Sequence, residues 1–216
     1  MSLQAIVADT AKIALTTAAL PIERRRAAVL ARRKPLLLHL GSADNRLERW
    51  VNIDLLRPGR KLELYWDLRR GIPFATSSVD AIFAEHLLEH LTLDQGIELL
   101  RECRRVLRPI GVVRIGVPDL GRYVASYLGQ DDLIDIALPG RPTRAIALSE
   151  PFFMYGHRTM FDFETLEYAL RHSGFSVVER SEFGTGRIDP CPDSPSRRIE
   201  TLYVEATGSS IERPAA

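Results

Sequence analysis

Apolar residues in this chain fall into short runs that stop on a glycine or an acid. Leu36-Leu37-Leu38-His39-Leu40 stops at Gly41, Val51-Asn52-Ile53 ends on Asp54, and Leu64-Tyr65-Trp66 ends on Asp67. Ala81–Ala84 leads into Glu85-His86, and Val112-Val113-Arg114-Ile115-Gly116-Val117 ends at Pro118-Asp119. Near-continuous apolar runs of this length suit strands of a parallel sheet covered on both faces. Phe175–Arg180 and Thr201–Ala206 are the last two strand candidates, separated by a polar, Gly/Pro-rich loop, Gly184–Arg198. A glycine and two carboxylates at successive strand ends suggest an open α/β sheet that binds a nucleoside-like ligand outside its carboxyl edge.

Helical spacing fills the intervals. Leu3, Ile6, Val7, Ile13 and Leu20 recur at roughly helical intervals, and Pro21 is expected to end or kink that helix. Ile22–Arg33 reads as a second helical piece, and Pro35 biases Lys34 toward an extended conformation before the first strand. Residues 1–34 are therefore expected to form a helical arm, residues 35–207 one domain, and residues 208–216 a disordered tail. Thr92-Leu93-Asp94-Gln95 has the capping-box pattern and opens a helix with Leu93, Ile97, Leu100, Val106 and Leu107 near one stripe, ended by Pro109 and Gly111. Leu120–Pro151, punctuated by Gly129, Pro139, Gly140 and Pro142, reads as a less regular insertion able to close over a substrate. Asp162 caps a helix with Phe163, Leu166 and Leu170 inward, and Gly174 supplies the left-handed residue after it. Strands alternating with helices predict a mostly parallel α/β sheet, and the final strand pair permits an antiparallel edge.

Composition changes this picture little. The 216 residues suffice for one substantial core, and the apolar and charged fractions, 45% and 26%, are those of an ordinary globular protein. A net charge of +1 gives no mandate for nucleic acid, and none is expected as a partner. The segment Glu23–Lys34 is locally basic and reads first as a solvated helix face, second as a surface for phosphates or lipid headgroups. Cys103 and Cys191 have no paired spacing, which points to a reducing compartment. No apolar run reaches the roughly 20 residues that a membrane span needs. Without a secretory pattern, the cytoplasm is the expected location.

Six segments then carry a family resemblance: HLGSADN, WVNIDL, WDLRRGIPF, SVDAIFAEHLLEHL, LRECRRVLRPIGVVRIGVPDL and HRTMFDFETLEYALRHSGF, in this order between Leu36 and Gly174. Together they resemble class I S-adenosylmethionine-dependent methyltransferases, in particular small bacterial ones linked to polysaccharide biosynthesis. The resemblance implies a Rossmann-like, seven-stranded, mostly parallel sheet with an antiparallel last strand, helices on both faces, and S-adenosylmethionine as cofactor. It implies that Gly41 and Ser42 approach the methionine part, that Asp54, followed by Leu55, accepts from the ribose hydroxyls, and that Asp67 and Leu68 face the adenine. Glu85 and His86 would lie beside the transferable methyl. The family's fuller glycine pattern is reduced here to Gly41-Ser42-Ala43.

Competing readings are weaker. A dinucleotide site needs G-x-G-x-x-G and an acid about 20 residues on; the later glycines are missing, and Asp54 follows Gly41 too closely. His86-Leu87-Leu88-Glu89-His90 matches H-x-x-E-H. It directly follows a buried strand, however, and no third ligand is evident, so no metal site is expected. Tyr155-Gly156-His157-Arg158 is read as an acceptor-side wall, against a surface turn as the bland reading. The expected activity is O-methylation of a small-molecule or saccharide-type acceptor, with His86 first, His157 second and His90 third as general base. The alternative is a non-catalytic binding module of the same fold. Oligomeric state stays open.

Overall fold

The computed structural model describes residues 3–59 and 61–208. Seven strands form one sheet in the order β3-β2-β1-β4-β5-β7-β6. They are β1 (Leu37–Leu40), β2 (Val51–Asp54), β3 (Leu64–Tyr65), β4 (Val79–Glu85), β5 (Leu107–Pro118), β6 (Val177–Ser181) and β7 (Thr201–Thr207). The first five pair in parallel, and β7 runs antiparallel to both β5 and β6. The chain order reverses between β1 and β4, the topological switch point where such sheets hold ligands.

Helices surround the sheet unevenly. Paired residues point to the same face, so register sorts the side chains. Leu38, Val51, Ile82, Val113 and Ala206 share one face with Leu40, Ile53, Ala84, Ile115 and Val204. Against it pack α1 (Leu3–Leu30), α2 (Leu93–Val106) and α6 (Phe163–His172), through residues such as Ala27, Leu100 and Leu166. The opposite face carries Phe83, Arg114 and Tyr203 and meets the turn after β1 through Trp50 and the loop 182–198 through Ile188.

Three segments differ from the sequence expectation. α1 runs unbroken through Pro21 to Leu30, because tertiary bonds tether both halves. Thr16 Oγ1 accepts from the Leu56 amide, and Glu23 Oε2 accepts from the Tyr65 amide, so the helix satisfies donors beside edge strand β3. α2 ends at Val106, and β5 starts at once, taking Pro109 and Gly111 into an irregular strand opening. Leu120–Pro151 is helical: α3 (Leu120–Tyr127), α4 (Leu133–Ala137) and α5 (Arg144–Phe153) enclose Tyr123, Leu133, Ile134 and Ala147. Asp119 and Thr143 cap two of these helices, and the glycines and prolines sit mainly at the joints. The expected capping box at Thr92 and Gln95, the Asp162 cap and the left-handed Gly174 are all present. Both cysteines are unpaired, and among the described residues no helix is long and apolar enough to cross a membrane. The tail expectation for 209–216 lies outside the described residues.

Candidate active site

The carboxyl edge collects the residues singled out at the strand ends. Gly41 takes φ +66, and a β-carbon there would lie 2.8 Å from Leu87 Cδ1. The glycine thus lets the turn after β1 pass beneath the segment that follows β4. The Gly41 and Ser42 amides both donate to the Ile53 carbonyl, tying that turn to β2. Asp54 completes the tie, since its carboxylate accepts from the Ala43 and Leu55 amides at 2.9 and 2.7 Å. Ser42 is buried, and its hydroxyl has no hydrogen-bond partner among the described residues.

Asp67 caps the short 3-10 helix 68–70, and Arg69 grips both carboxylate oxygens at 2.8 and 2.9 Å. Burial opposes its ionisation, but the Arg69 guanidinium and amide outweigh burial and hold the carboxyl below its ordinary range. Adenine would reach this carboxylate only in competition with Arg69. Leu68 is half-buried beside it.

Glu85 is nearly buried and faces the loop 182–198. Its Oε1 accepts from the Ser194 amide at 3.1 Å and the Tyr203 hydroxyl at 2.7 Å. Asn45 donates to Ser194 Oγ at 2.7 Å, so this loop is strapped across the ends of β1 and β4. Sequence reading left the loop without a role, because nothing local marks Ser194 as a partner of residues more than a hundred positions earlier.

His86 turns the chain at the end of β4 with φ +53, a left-handed conformation uncommon for a residue with a β-carbon. Its Nε2 lies 2.9 Å from Thr201 Oγ1, whose own proton goes to the Arg197 carbonyl at 2.7 Å. Nε2 is therefore the protonated nitrogen, and Nδ1 is an acceptor 3.3 Å from Glu89 Oε1. Burial, followed by Arg197, His157 and His90, pushes the imidazole down to about 3. Glu89 is fully buried, and burial pushes its carboxyl up to about 8. At neutral pH the pair is thus a carboxylic acid facing a neutral imidazole.

Residues 88–90 form a 3-10 turn, so His86 and His90 do not share the helix face that the H-x-x-E-H spacing allows. His90 is exposed, and its ring meets His157 edge-on with centroids 4.9 Å apart. His157 Nδ1 bonds the Pro151 carbonyl, which orients the ring and makes Nε2 its acceptor nitrogen. The Arg158 and Thr159 amides donate to the Glu89 carbonyl, holding segment 155–161 over the residues after β4. Burial holds the His157 imidazole below its ordinary value. Tyr123 and Arg197 both bond Glu200 at the same edge.

The buried pair predicts a pH signature. Glu89 gives up its proton at about 8 in the fold but near 4.5 when unfolded. Between those values the folded protein holds a proton that the unfolded chain has released, so this group's contribution to stability falls as pH rises. The maximum slope is about 1.4 kcal/mol per pH unit. Denaturant unfolding in chelator-containing buffer should show wild type losing stability relative to Glu89→Gln between about pH 5 and about pH 8. Parallel profiles would mean that Glu89 is ionised in the fold.

Residues 64–115 match the protein family described as methyltransferase domain, a stretch that includes Asp67, Glu85, His86, Glu89 and His90. No curated protein is similar enough in sequence to match. Among solved structures, one similar chain comes from the Haloferax volcanii complex of the Trm112 methyltransferase activator with a methyltransferase. It shares 16% identity over 95% of this chain and 97% of that one, with a TM-score of 0.53. An Archaeoglobus fulgidus SAM-dependent methyltransferase shares 15% identity over 91% and 94%, with a TM-score of 0.52. A Thermotoga maritima SAM-dependent methyltransferase shares 12% over 87% and 89%, also at 0.52. At these identities the likeness is one of fold.

The matched stretch is that of a methyltransferase domain, and the fold is the Rossmann-like one of the S-adenosylmethionine-dependent methyltransferases above; together they support an enzyme that transfers a methyl group. The comparisons support S-adenosylmethionine as its cofactor, and the turn after β1 offers a buried Ser42 hydroxyl with no hydrogen-bond partner among the described residues, with an acid closing β2.

Proposed function

We propose that this enzyme methylates a hydroxyl of a small-molecule or saccharide-type acceptor. The observation that carries the proposal is the proton-handling cluster of His86, Glu89, His90 and His157 beside the end of β4. A hydroxyl must lose its proton to become a good nucleophile, whereas a neutral amine or a carboxylate needs no base. The saccharide class and a link to polysaccharide biosynthesis rest on the family resemblance of the six ordered segments, as does a cytoplasmic location together with the unpaired cysteines.

In this reading Gly41 and Ser42 border the methionine part, Asp54 with Leu55 takes the ribose, Asp67 and Leu68 border the adenine, and Glu85 and His86 close the methyl side. When bound, the cofactor supplies an electrophilic methyl on a sulfonium. That methyl would pass to the acceptor oxygen, with the carbon–sulfur bonding pair leaving on sulfur as a neutral thioether. The chain's part is alignment, which can supply several kcal/mol, and removal of the hydroxyl proton. What supports His157 as the base is its Nε2, left as acceptor by the Nδ1 bond to Pro151 and held next to exposed His90. His86 has both nitrogens turned to protein groups and fits a positioning role.

Incubation with deuterated-methyl cofactor and a panel of saccharides, amines and carboxylates tests the proposal. A methyl ether on a sugar hydroxyl is the expected product, with an acid limb in the pH–rate profile below the ordinary histidine value. Methyl transfer to nitrogen or carboxylate alone would replace this assignment.

A further inference from the structure

Glu89 poses a problem that methyl transfer by itself does not explain. The carboxyl is fully buried; its Oε1 has the 3.3 Å approach of His86 Nδ1, and neither oxygen makes a well-formed hydrogen bond among the described residues. An unsatisfied buried carboxyl is costly and calls for a missing partner. His90 and His157 stand beside it, and one ligand-type atom from each of the three residues lies within 4.8 Å of the others. No ion is present.

We propose that Glu89, His90 and His157 form a binding site for a divalent transition-metal ion. Two imidazoles and one carboxylate make a donor set for borderline ions such as zinc or cobalt, with coordination positions left open. Ligand atoms about 2.1 Å from one ion are at most about 4.2 Å apart, so side-chain movements of less than about 1 Å close the site. The surroundings are those of a metal site: His157 Nδ1 donates to the Pro151 carbonyl, which directs Nε2 to the ion, and His86 Nδ1 lies 3.3 Å from Glu89 Oε1. Such outer contacts fix ring orientation and ligand direction. The third residue, absent from the H-x-x-E-H segment, is delivered by the chain 155–161 that Glu89's own carbonyl holds down. Resting on the hydroxyl-acceptor reading, with the ion bound His157 Nε2 would serve as a ligand in place of a base, and an open coordination position would take the acceptor oxygen and acidify its proton.

The test uses tag-free, chelator-treated full chain, titrated with Co²⁺ and with Zn²⁺ by calorimetry while cobalt absorption is recorded. One equivalent should bind, with visible d–d bands showing nitrogen–oxygen coordination. Glu89→Gln and His157→Gln should each weaken binding at least about tenfold, with thermal unfolding confirming that both variants fold. His172→Gln, on α6 beside Tyr168 and away from the site, should bind as wild type does. Absent stoichiometric binding, or equal affinity in wild type, Glu89→Gln and His157→Gln, would overturn the site. S-adenosylhomocysteine binding measured on the same metal-free protein separates the two readings. Cofactor binding without metal binding removes the metal site alone, and metal binding without methylation of any hydroxyl removes only the acceptor assignment.

Discussion

Arg114→Met is expected to destabilise the protein by about 3–5 kcal/mol, the cost of breaking a buried ion cluster by removing one partner. Arg114 is fully buried in the middle of β5, and all its guanidinium N–H groups are committed. Nε and Nη2 grip the Asp193 carboxylate at 2.6 Å each, Nη1 reaches Glu205 Oε1 and the Thr185 carbonyl at 3.1 Å, and Nη2 also donates to the Glu182 carbonyl at 2.9 Å. The guanidinium further stacks over Tyr203, 4.9 Å from the ring centroid. Methionine fills the space but leaves two buried carboxylates and two carbonyls without their cation.

For a chain of this size, melting should fall by about 2–4 °C per kcal/mol, so by roughly 6–20 °C. The loop 182–198 should loosen with it, and because Ser194 straps that loop to Asn45 and Glu85, S-adenosylhomocysteine binding should weaken as well. Adding Asp193→Leu and Glu205→Leu to Arg114→Met should recover much of the melting temperature, since the uncompensated charges are then gone. A shift below about 2 °C for the single variant would show that water reaches the cluster and rescues the acids.

Asp54→Ala is expected to weaken S-adenosylhomocysteine binding by about 100-fold, or about 2.7 kcal/mol. Charge-assisted hydrogen bonds from ribose hydroxyls contribute part of that loss. The remainder comes from the turn itself, because the carboxylate also receives the Ala43 and Leu55 amides. Asp54→Asn keeps one carbonyl acceptor and should fall between wild type and alanine. Melting in the absence of ligand should move little, as Asp54 is only half-buried at the strand end. Calorimetric titration of the three proteins decides the matter, and equal affinities would place the ribose elsewhere along the edge.

Much of the fold is legible along the chain because the signals are local. The apolar runs of β1, β2, β4 and β5 carry their own length and burial, and the caps at Thr92 and Asp162 lie within three residues of the amides they bind. Gly41, Asp54 and Asp67 are recognisable by position alone, each standing where an apolar run stops. Pro21 misleads for the opposite reason. A proline's local cost in a helix was outweighed by bonds to Leu56 and Tyr65, which no window around Pro21 contains. The helices in 120–153 were obscured by glycines and prolines that turn out to be mostly joints.

What the sequence alone determined, then, is the order of the strands, the locally capped helices between them, and the glycine and acids that stand where the strands end. Tertiary structure decided which side chains meet. In the run Val112–Val117, arginine reads as an exception in an apolar strand until the loop 182–198 brings Asp193 against it. Asp67 reads as a bare strand-end acid until Arg69 curls back on it. Glu89 and His90 read as half of a motif until segment 155–161 lays His157 beside them. The physical reason is common to these cases: periodicity states which face a side chain occupies, while its partner, and with it its charge and protonation, depends on segments that only packing brings within hydrogen-bonding distance.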